Sequence, residues 1–144
     1  MNDAYDFYRD ALGGRDMPLA FLDLDALEKN AESIAAGVEQ QEKTVRVVTK
    51  SVRSVDVLRR VLDTSDRFEG VMAFRADEAA FLSEKGFDDI LVAYPVWNED
   101  EIRRACEADA EVTLMVSEGA HVERVGAVAS DAGVDEPVPL CIDV

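Results

Sequence analysis

Apolar residues recur along this chain at two different spacings. Leu24, Leu27, Ala31, Ile34 and Val38 follow one another at intervals of three and four, which places them on one face of a helix. Elsewhere the apolar residues cluster into short runs over 45–50, 69–74, 90–94, 112–116 and 138–144. These runs are rich in β-branched residues, so they read as strands apolar on both faces, each covered by helices. Helical stretches are predicted between them, near 54–63, 76–85, 98–108 and 118–131. The strand starts fall 21 to 26 residues apart. Alternation at that period means parallel βα units joined by right-handed crossovers.

Local punctuation refines the boundaries. Tyr5, Phe7, Tyr8 and Leu12 predict a short helix over 2–12, stopped by Gly13-Gly14 because glycine accepts the positive φ of a helix end. Met17-Pro18 leads into a predicted short strand over 19–22. Asp25 is a candidate N-cap, with Glu28 completing a capping box. Ser54, Asn98 and Ser117 are further N-cap candidates, and Gly86 and Gly133 are candidate stops. Residues 1–18 form a helix and lead-in, and residues 19–144 form the α/β unit. The final run reads as a strand with nothing after it. A closed (β/α)8 barrel needs upward of about 200 residues, and barrel strands without the rest would leave apolar edges unpaired. A flavodoxin-like open sheet suits the length, but its last strand is normally followed by a covering helix. The expectation is therefore an α/β fold: the N-terminal portion of a (β/α)8 (TIM) barrel with about five parallel strands, truncated.

Composition narrows the function classes. Fifteen basic residues against 31 acidic ones give a net charge of −16, which argues against nucleic acid and anionic membrane surfaces as partners. Only four of the basic residues are lysines (Lys29, Lys43, Lys50, Lys85). High acidity with few lysines suggests a protein adapted to high salt, where dense carboxylates hold water and salt screens their repulsion. Cys106 and Cys141 lack metal or redox spacing and read as buried core thiols in a reducing compartment. The N-terminus Met1-Asn2-Asp3-Ala4-Tyr5-Asp6 is acidic rather than signal-like, and no apolar run reaches membrane-spanning length. The expected location is cytoplasmic.

Parallel α/β folds carry their chemistry at the C-terminal ends of the strands. That rim would display Lys50 and Ser51, Phe74 and Arg75, Tyr94 and Pro95, Ser117, and Asp143. Lys50 alone among the lysines ends an apolar run. A lysine so placed can form a Schiff base if its surroundings lower its pKa; the competing reading is a lysine reaching from a strand end into solvent. Tyr94 can line a pocket, whereas Trp97 is expected to pack beside the loop. His121 reads as solvated or structural. It makes no zinc set with two distant cysteines and no Ser-His-Asp arrangement. The clusters Asp88-Asp89 and Glu99-Asp100-Glu101 read as a solvated turn and a helix start whose charge suits the helix dipole.

The series 18–30 (Pro-Leu-Ala-Phe-Leu-Asp-Leu-Asp-Ala-Leu-Glu-Lys-Asn), the run 45–50 with Ser51-Val52-Arg53-Ser54, and the later segments Gly70-Val71-Met72-Ala73, Glu78-Ala79, 86–95 and Cys141-Ile142-Asp143-Val144 together resemble the N-terminal domain of the alanine-racemase-like, fold type III pyridoxal-phosphate proteins. The nearest branch is the D-threonine aldolase, D-serine dehydratase and amino-acid deaminase/aldolase group. The resemblance runs over about residues 17–144. It implies a PLP-binding (β/α)8 barrel followed by a β-rich domain, with Lys50 carrying pyridoxal 5'-phosphate as an internal aldimine. The cofactor would serve as an electron sink for a lyase, deaminase/dehydratase or racemase acting on D-amino or hydroxy-amino acids, with freed Lys50 as acid or base. Arg53 would add positive charge near the cofactor, Tyr94 would line its site, and the parent protein would be a homodimer. Val48 and Val52 stand where many D-threonine aldolase relatives carry histidines, which leans away from D-threonine as substrate. The family's phosphate loops, pyridine-nitrogen partner, second base and metal ligands correspond to positions beyond Val144. Two alternatives remain at this point: a non-catalytic PLP-homeostasis barrel, and a small flavodoxin-like binding module in which Lys50 is incidental.

Overall fold

A single parallel sheet, with strands in the order β1-β2-β3-β4-β5, organises the chain. The computed structural model describes residues 3–144. Helix α1 (Asp3–Leu12) and helix α2 (Leu24–Glu39) precede β1 (Val45–Val48), and a 3-10 turn (Thr49–Ser51) follows it. The alternating units are then α3 (Val55–Leu62), β2 (Phe68–Ala73), α4 (Ala76–Glu84), β3 (Asp89–Val92), α5 (Glu99–Cys106), β4 (Glu111–Val116), α6 (Gly119–Asp131) and β5 (Leu140–Ile142). The expected start of the first helix at residue 2 lies outside the described residues. Each strand pairs in parallel with the next, so the crossovers all advance in one direction. Right-handed crossovers of that kind put every helix on the same side. A doubly wound flavodoxin-like sheet needs a reversal of strand order, and the consecutive order rules that alternative out.

Burial shows the one-sidedness directly. Val71, Ala73, Ile90, Val92, Val112, Leu114 and Val116 point toward the helices and are at most 4% exposed. With Leu58, Ala76, Ala79, Leu82, Ile102, Ala105, Val125 and Val128 from the helices they form the main core. A smaller cluster of Ala31, Ala35 and Phe68 seats α2 beside β1. The alternate strand residues Val48, Met72, Leu91, Thr113, Met115 and Cys141 are only half-buried on the other face. Strands apolar and helix-covered on both faces were expected; the helices cover one face, and the open face also carries Arg46, Asp89 and Thr113. That is the geometry of a barrel wall, whose inner face meets other strands across the lumen.

Near the N-terminal ends of the strands, the β1–β2 register shifts between Val45 and Val47. Gly70 sits in this irregularity at φ +67°. A Cβ there would lie 2.2 Å from Arg46 Nη1 and 2.4 Å from Asp89 Oδ2. Glycine is thus required twice, for its backbone conformation and for its missing side chain. It lets Arg46 reach across β2 to Asp89, with Nη1–Oδ1 at 2.6 Å. Asp89, expected in a solvated turn, is instead one half of this ion pair.

Several boundaries differ from the sequence expectation. Residues 19–22 are not a strand; Leu19, Phe21 and Leu22 are exposed and have no neighbouring strand. The N-cap of α2 is Asp23, which accepts from the Ala26 N–H at 2.9 Å. Asp25 lies inside the first turn, and Glu28 pairs with Arg60 at 2.6 Å rather than closing a capping box. Asn98 does cap α5, accepting from the Glu101 N–H at 3.1 Å. Ser54 occupies the cap position of α3 without a side-chain bond, and Glu118 rather than Ser117 precedes α6. Gly14, Gly86 and Gly133 follow helices at positive φ as expected. Neighbouring helices are tied by Arg104–Asp77 (2.6 Å), Arg75–Glu101 (2.7 Å) and Arg103–Asp131 (2.6 Å), each a modest contribution at an exposed site. No helix among the described residues is long and apolar enough to cross a membrane.

Candidate active site

The C-terminal rim of the open face holds a cavity of about 300 Å³, lined by Val48, Lys50, Met72, Ala73, Phe74, Ala93, Tyr94, Met115 and Asp143. All strands but β4 end one or two residues before a cavity residue, while β4 contributes Met115 from within the strand. β1 stops at Val48 and β3 at Val92, so Lys50 and Tyr94 stand on the turns that follow rather than on the strands. Strand propensity explains the expected longer first run, since the β-branched Thr49 suits a strand but stands in the 3-10 turn at the rim. β2 and β5 likewise end short of the expected limits, at Ala73 and Ile142.

Lys50 lies in the 3-10 turn, and its Nζ stands 5.7 Å from the centre of the Tyr94 ring, within the range of a cation–π contact. Phe74 packs edge-on against Tyr94 with ring centres 4.8 Å apart. The two aromatics thus wall the cavity beside the amine. No ion pair among the described residues includes Lys50. Asp143 brings a carboxylate to the same cavity, and its N–H is anchored to the Val116 carbonyl at 2.9 Å. Its place near the end of the fifth run put it on the expected rim, but it was not singled out as a site residue; it shares the cavity with Lys50 although β1 and β5 are the two edge strands of the sheet.

Beneath the rim, Thr49 is 1% exposed. Its Oγ1 donates to Glu78 Oε1 at 2.8 Å and lies 3.2 Å from the Met72 carbonyl. The other oxygen of Glu78 accepts the Phe74 N–H at 2.8 Å. Nothing in the local sequence pattern around Glu78, on the first turn of α4, signalled this link.

Arg53, three residues after Lys50, is exposed and does not line the cavity. Arg75 is engaged by Glu101. His121 is 7% exposed, so of the two expected settings it takes the structural one. It packs against Trp97 at 5.0 Å, with Ser117 Oγ 3.5 Å from Nδ1, and it stands outside the lysine cavity. The cysteines are half-buried rather than fully buried. Burial pushes the Cys106 thiol up, which keeps it protonated and unreactive. Among the described residues no three acidic, histidine or cysteine side chains group as a metal site.

A one-sided parallel βα wall with a cavity at its C-terminal rim is the architecture of a barrel-type α/β protein. The chain belongs to the alanine racemase N-terminal domain family, which matches residues 22–144. This is the fold type III class, whose cofactor is pyridoxal phosphate. No curated protein matches the chain significantly. Among solved structures it is similar to D-threonine aldolase from Filomicrobium marinum, with a TM-score of 0.81 at 19% identity, covering 90% of this chain and 34% of that one. It is also similar to D-threo-3-hydroxyaspartate dehydratase from Delftia sp. HT23, with a TM-score of 0.79 at 22% identity over 90% of this chain and 34% of that one. A mutant form of D-threo-3-hydroxyaspartate dehydratase matches over 98% of this chain and 37% of that one, with a TM-score of 0.82 at 20% identity. The chain thus spans about a third of the length of the structures it matches, and the likeness establishes the fold.

Proposed function

We propose that Lys50 is the residue that joins pyridoxal phosphate, in a protein that acts on D-amino or hydroxy-amino acids as a lyase, dehydratase/deaminase or racemase. The observation that carries this reading is the placement of Lys50: an amine in no ion pair among the described residues, opening into a rim cavity on the face where the family's barrel has its lumen. The amine would be the nucleophile of that link. Lys50 Nζ would hold the cofactor through its aldehyde carbon. When bound, the cofactor supplies an electron sink for the bond broken at the substrate's α-carbon.

The residues present suit the aldehyde and ring of that group. Phe74 and Tyr94 give flat apolar walls, and 300 Å³ is the lower end of the range for small-molecule sites. The cavity contains no arginine, so its own side chains do not cradle a phosphate. Arg53 would contribute positive charge at the exposed approach to the rim. Asp143 would bear on whatever cationic group enters beside Lys50. The similar structures are a D-threonine aldolase and a D-threo-3-hydroxyaspartate dehydratase, which supports that substrate class over others in the family. The acidic, lysine-poor composition supports work at high salt, and a cytoplasmic homodimer completes the reading.

The test is reduction with borohydride after adding pyridoxal phosphate to the full-length protein, followed by mapping of the labelled peptide. Label on Lys50 is expected, and Lys50→Ala should remove it. Label on Lys29, Lys43 or Lys85 instead, or none, would overturn the assignment.

A further inference from the structure

Lys50 stands on a turn, and turns move more readily than strands. What holds this one is a hydrogen-bonded link beneath it. The hydroxyl of Thr49, the residue immediately before Lys50, donates to Glu78 Oε1 at 2.8 Å. Glu78 Oε2 takes the Phe74 N–H at 2.8 Å. One carboxylate therefore ties the turn after β1 to the turn after β2. Those two turns carry Lys50 and Phe74, which face one another across the cavity through Tyr94. Charge-assisted bonds of this sort are stronger than neutral ones, and both donors would otherwise compete for weaker partners near the rim.

We infer that Glu78 is a positioning residue for Lys50: through Thr49 and Phe74 it fixes the height and direction of the amine over Tyr94. The inference rests on the reading of Lys50 as the aldehyde-binding lysine. Glu78 touches neither the amine nor the cavity; it acts by holding the backbone from which the amine projects.

The chemistry of the link makes separable variants available. Thr49→Val keeps the volume but removes the donor and strands Glu78 Oε1 and the Met72 carbonyl. Thr49→Ser keeps the donor. Glu78→Ala removes both acceptors. Glu78→Gln retains one oxygen for the Phe74 N–H, while its amide can donate to Thr49 Oγ1. That hydroxyl would then turn its proton toward the Met72 carbonyl, 3.2 Å away. All bonds are conserved in altered polarity, so Glu78→Gln and Thr49→Ser are the rescuing substitutions.

The measurement is the rate of borohydride-trapped label at Lys50 in the full-length protein, followed against pyridoxal phosphate concentration, with thermal unfolding recorded alongside. A misaligned reacting group slows a step by up to about a hundredfold. Thr49→Val and Glu78→Ala should lower the limiting rate at saturation by roughly tenfold or more. The half-saturating concentration should change little, because the phosphate is held elsewhere. Thr49→Ser and Glu78→Gln should restore the rate to within about threefold of the parent. Parent-like rates in Thr49→Val and Glu78→Ala would overturn the proposal, as would a change confined to half-saturation. Should Glu78→Ala not fold, the Thr49→Val and Thr49→Ser pair decides alone. Absence of Lys50 label in the unaltered protein would instead overturn the reading of Lys50 itself, so the two failures are distinguishable.

Discussion

The two ends of the sheet's open face use charge in opposite ways. At the N-terminal end, Arg46 and Asp89 meet at 2.6 Å across Gly70, each about a third exposed. At the C-terminal end, Lys50 shares a cavity with Asp143 yet enters no ion pair among the described residues. The lower pair is neutralised and locked by a backbone irregularity that only glycine accommodates. The upper amine stands on a turn, 5.7 Å from the Tyr94 ring centre. The difference suits parallel strands, whose C-terminal turns are free to vary while their starts must close the barrel floor.

The comparison breaks most sharply at Lys50. Lys50→Arg should abolish covalent capture of pyridoxal phosphate, because a guanidinium does not form the link at neutral pH. Its effect on folding should stay within about 0.5 kcal/mol, as for surface substitutions. Borohydride trapping and urea unfolding read the two effects separately, and a large loss of stability would give the upper end a structural role. Gly70→Ala should do the reverse. Left-handed backbone costs a non-glycine residue about 1–2 kcal/mol, and the crowding of Arg46 and Asp89 adds to it. A total loss of about 2–4 kcal/mol is expected in urea unfolding, with Lys50 trapping unchanged in the folded fraction.

A smaller effect is expected at the ion pair itself. A double-mutant cycle on Arg46→Met and Asp89→Asn should give a coupling of about 0.5–1 kcal/mol, given the partial exposure. It should shrink as salt rises, since the pair is screened. Overall stability should rise over the same salt range, because the net charge of −16 is screened as well. Coupling that persists undiminished in high salt would show the pair to be shielded from solvent.

The smallest effect lies away from both ends. The hydrogen bond from Tyr8, then the Ala26 N–H, hold the Asp23 carboxyl below the usual carboxylate range. A carboxyl depressed in the folded state stabilises above its unfolded pKa, near 3.9, and that contribution is lost as pH falls through its folded value. Tyr8→Phe should move the Asp23 titration up toward the ordinary value, as followed by NMR. It should leave Lys50 trapping untouched. No movement would mean that the Ala26 cap alone sets the Asp23 value.

The βα alternation was legible because it rests on local terms. β-branched runs, amphipathic spacing and glycine stops each reflect the preference of a short segment, and the five strands lie where those terms agree. Lys50 was legible as well, since the end of an apolar run marks the rim of a parallel sheet. The false strand over 19–22 shows the limit of the same signal: four residues with strand propensity have no ladder to join. Asp23 was passed over as the cap of α2 because Asp25 with Glu28 made the better local pattern, while the partner of Glu28 turned out to be Arg60 on another helix.

By itself the sequence determined the order of elements, the family resemblance and the lysine at the rim, because those depend on neighbours along the chain. Only the tertiary structure decided that the helices lie on one face, that Arg46 reaches Asp89 across Gly70, that Asp143 shares the cavity of Lys50, and that Glu78 ties Thr49 to Phe74. The residues of each pairing are separated by 25 or more positions except Glu78 and Phe74. The assembled sheet and its covering helices bring them together, and strand direction and register depend on packing across the whole sheet.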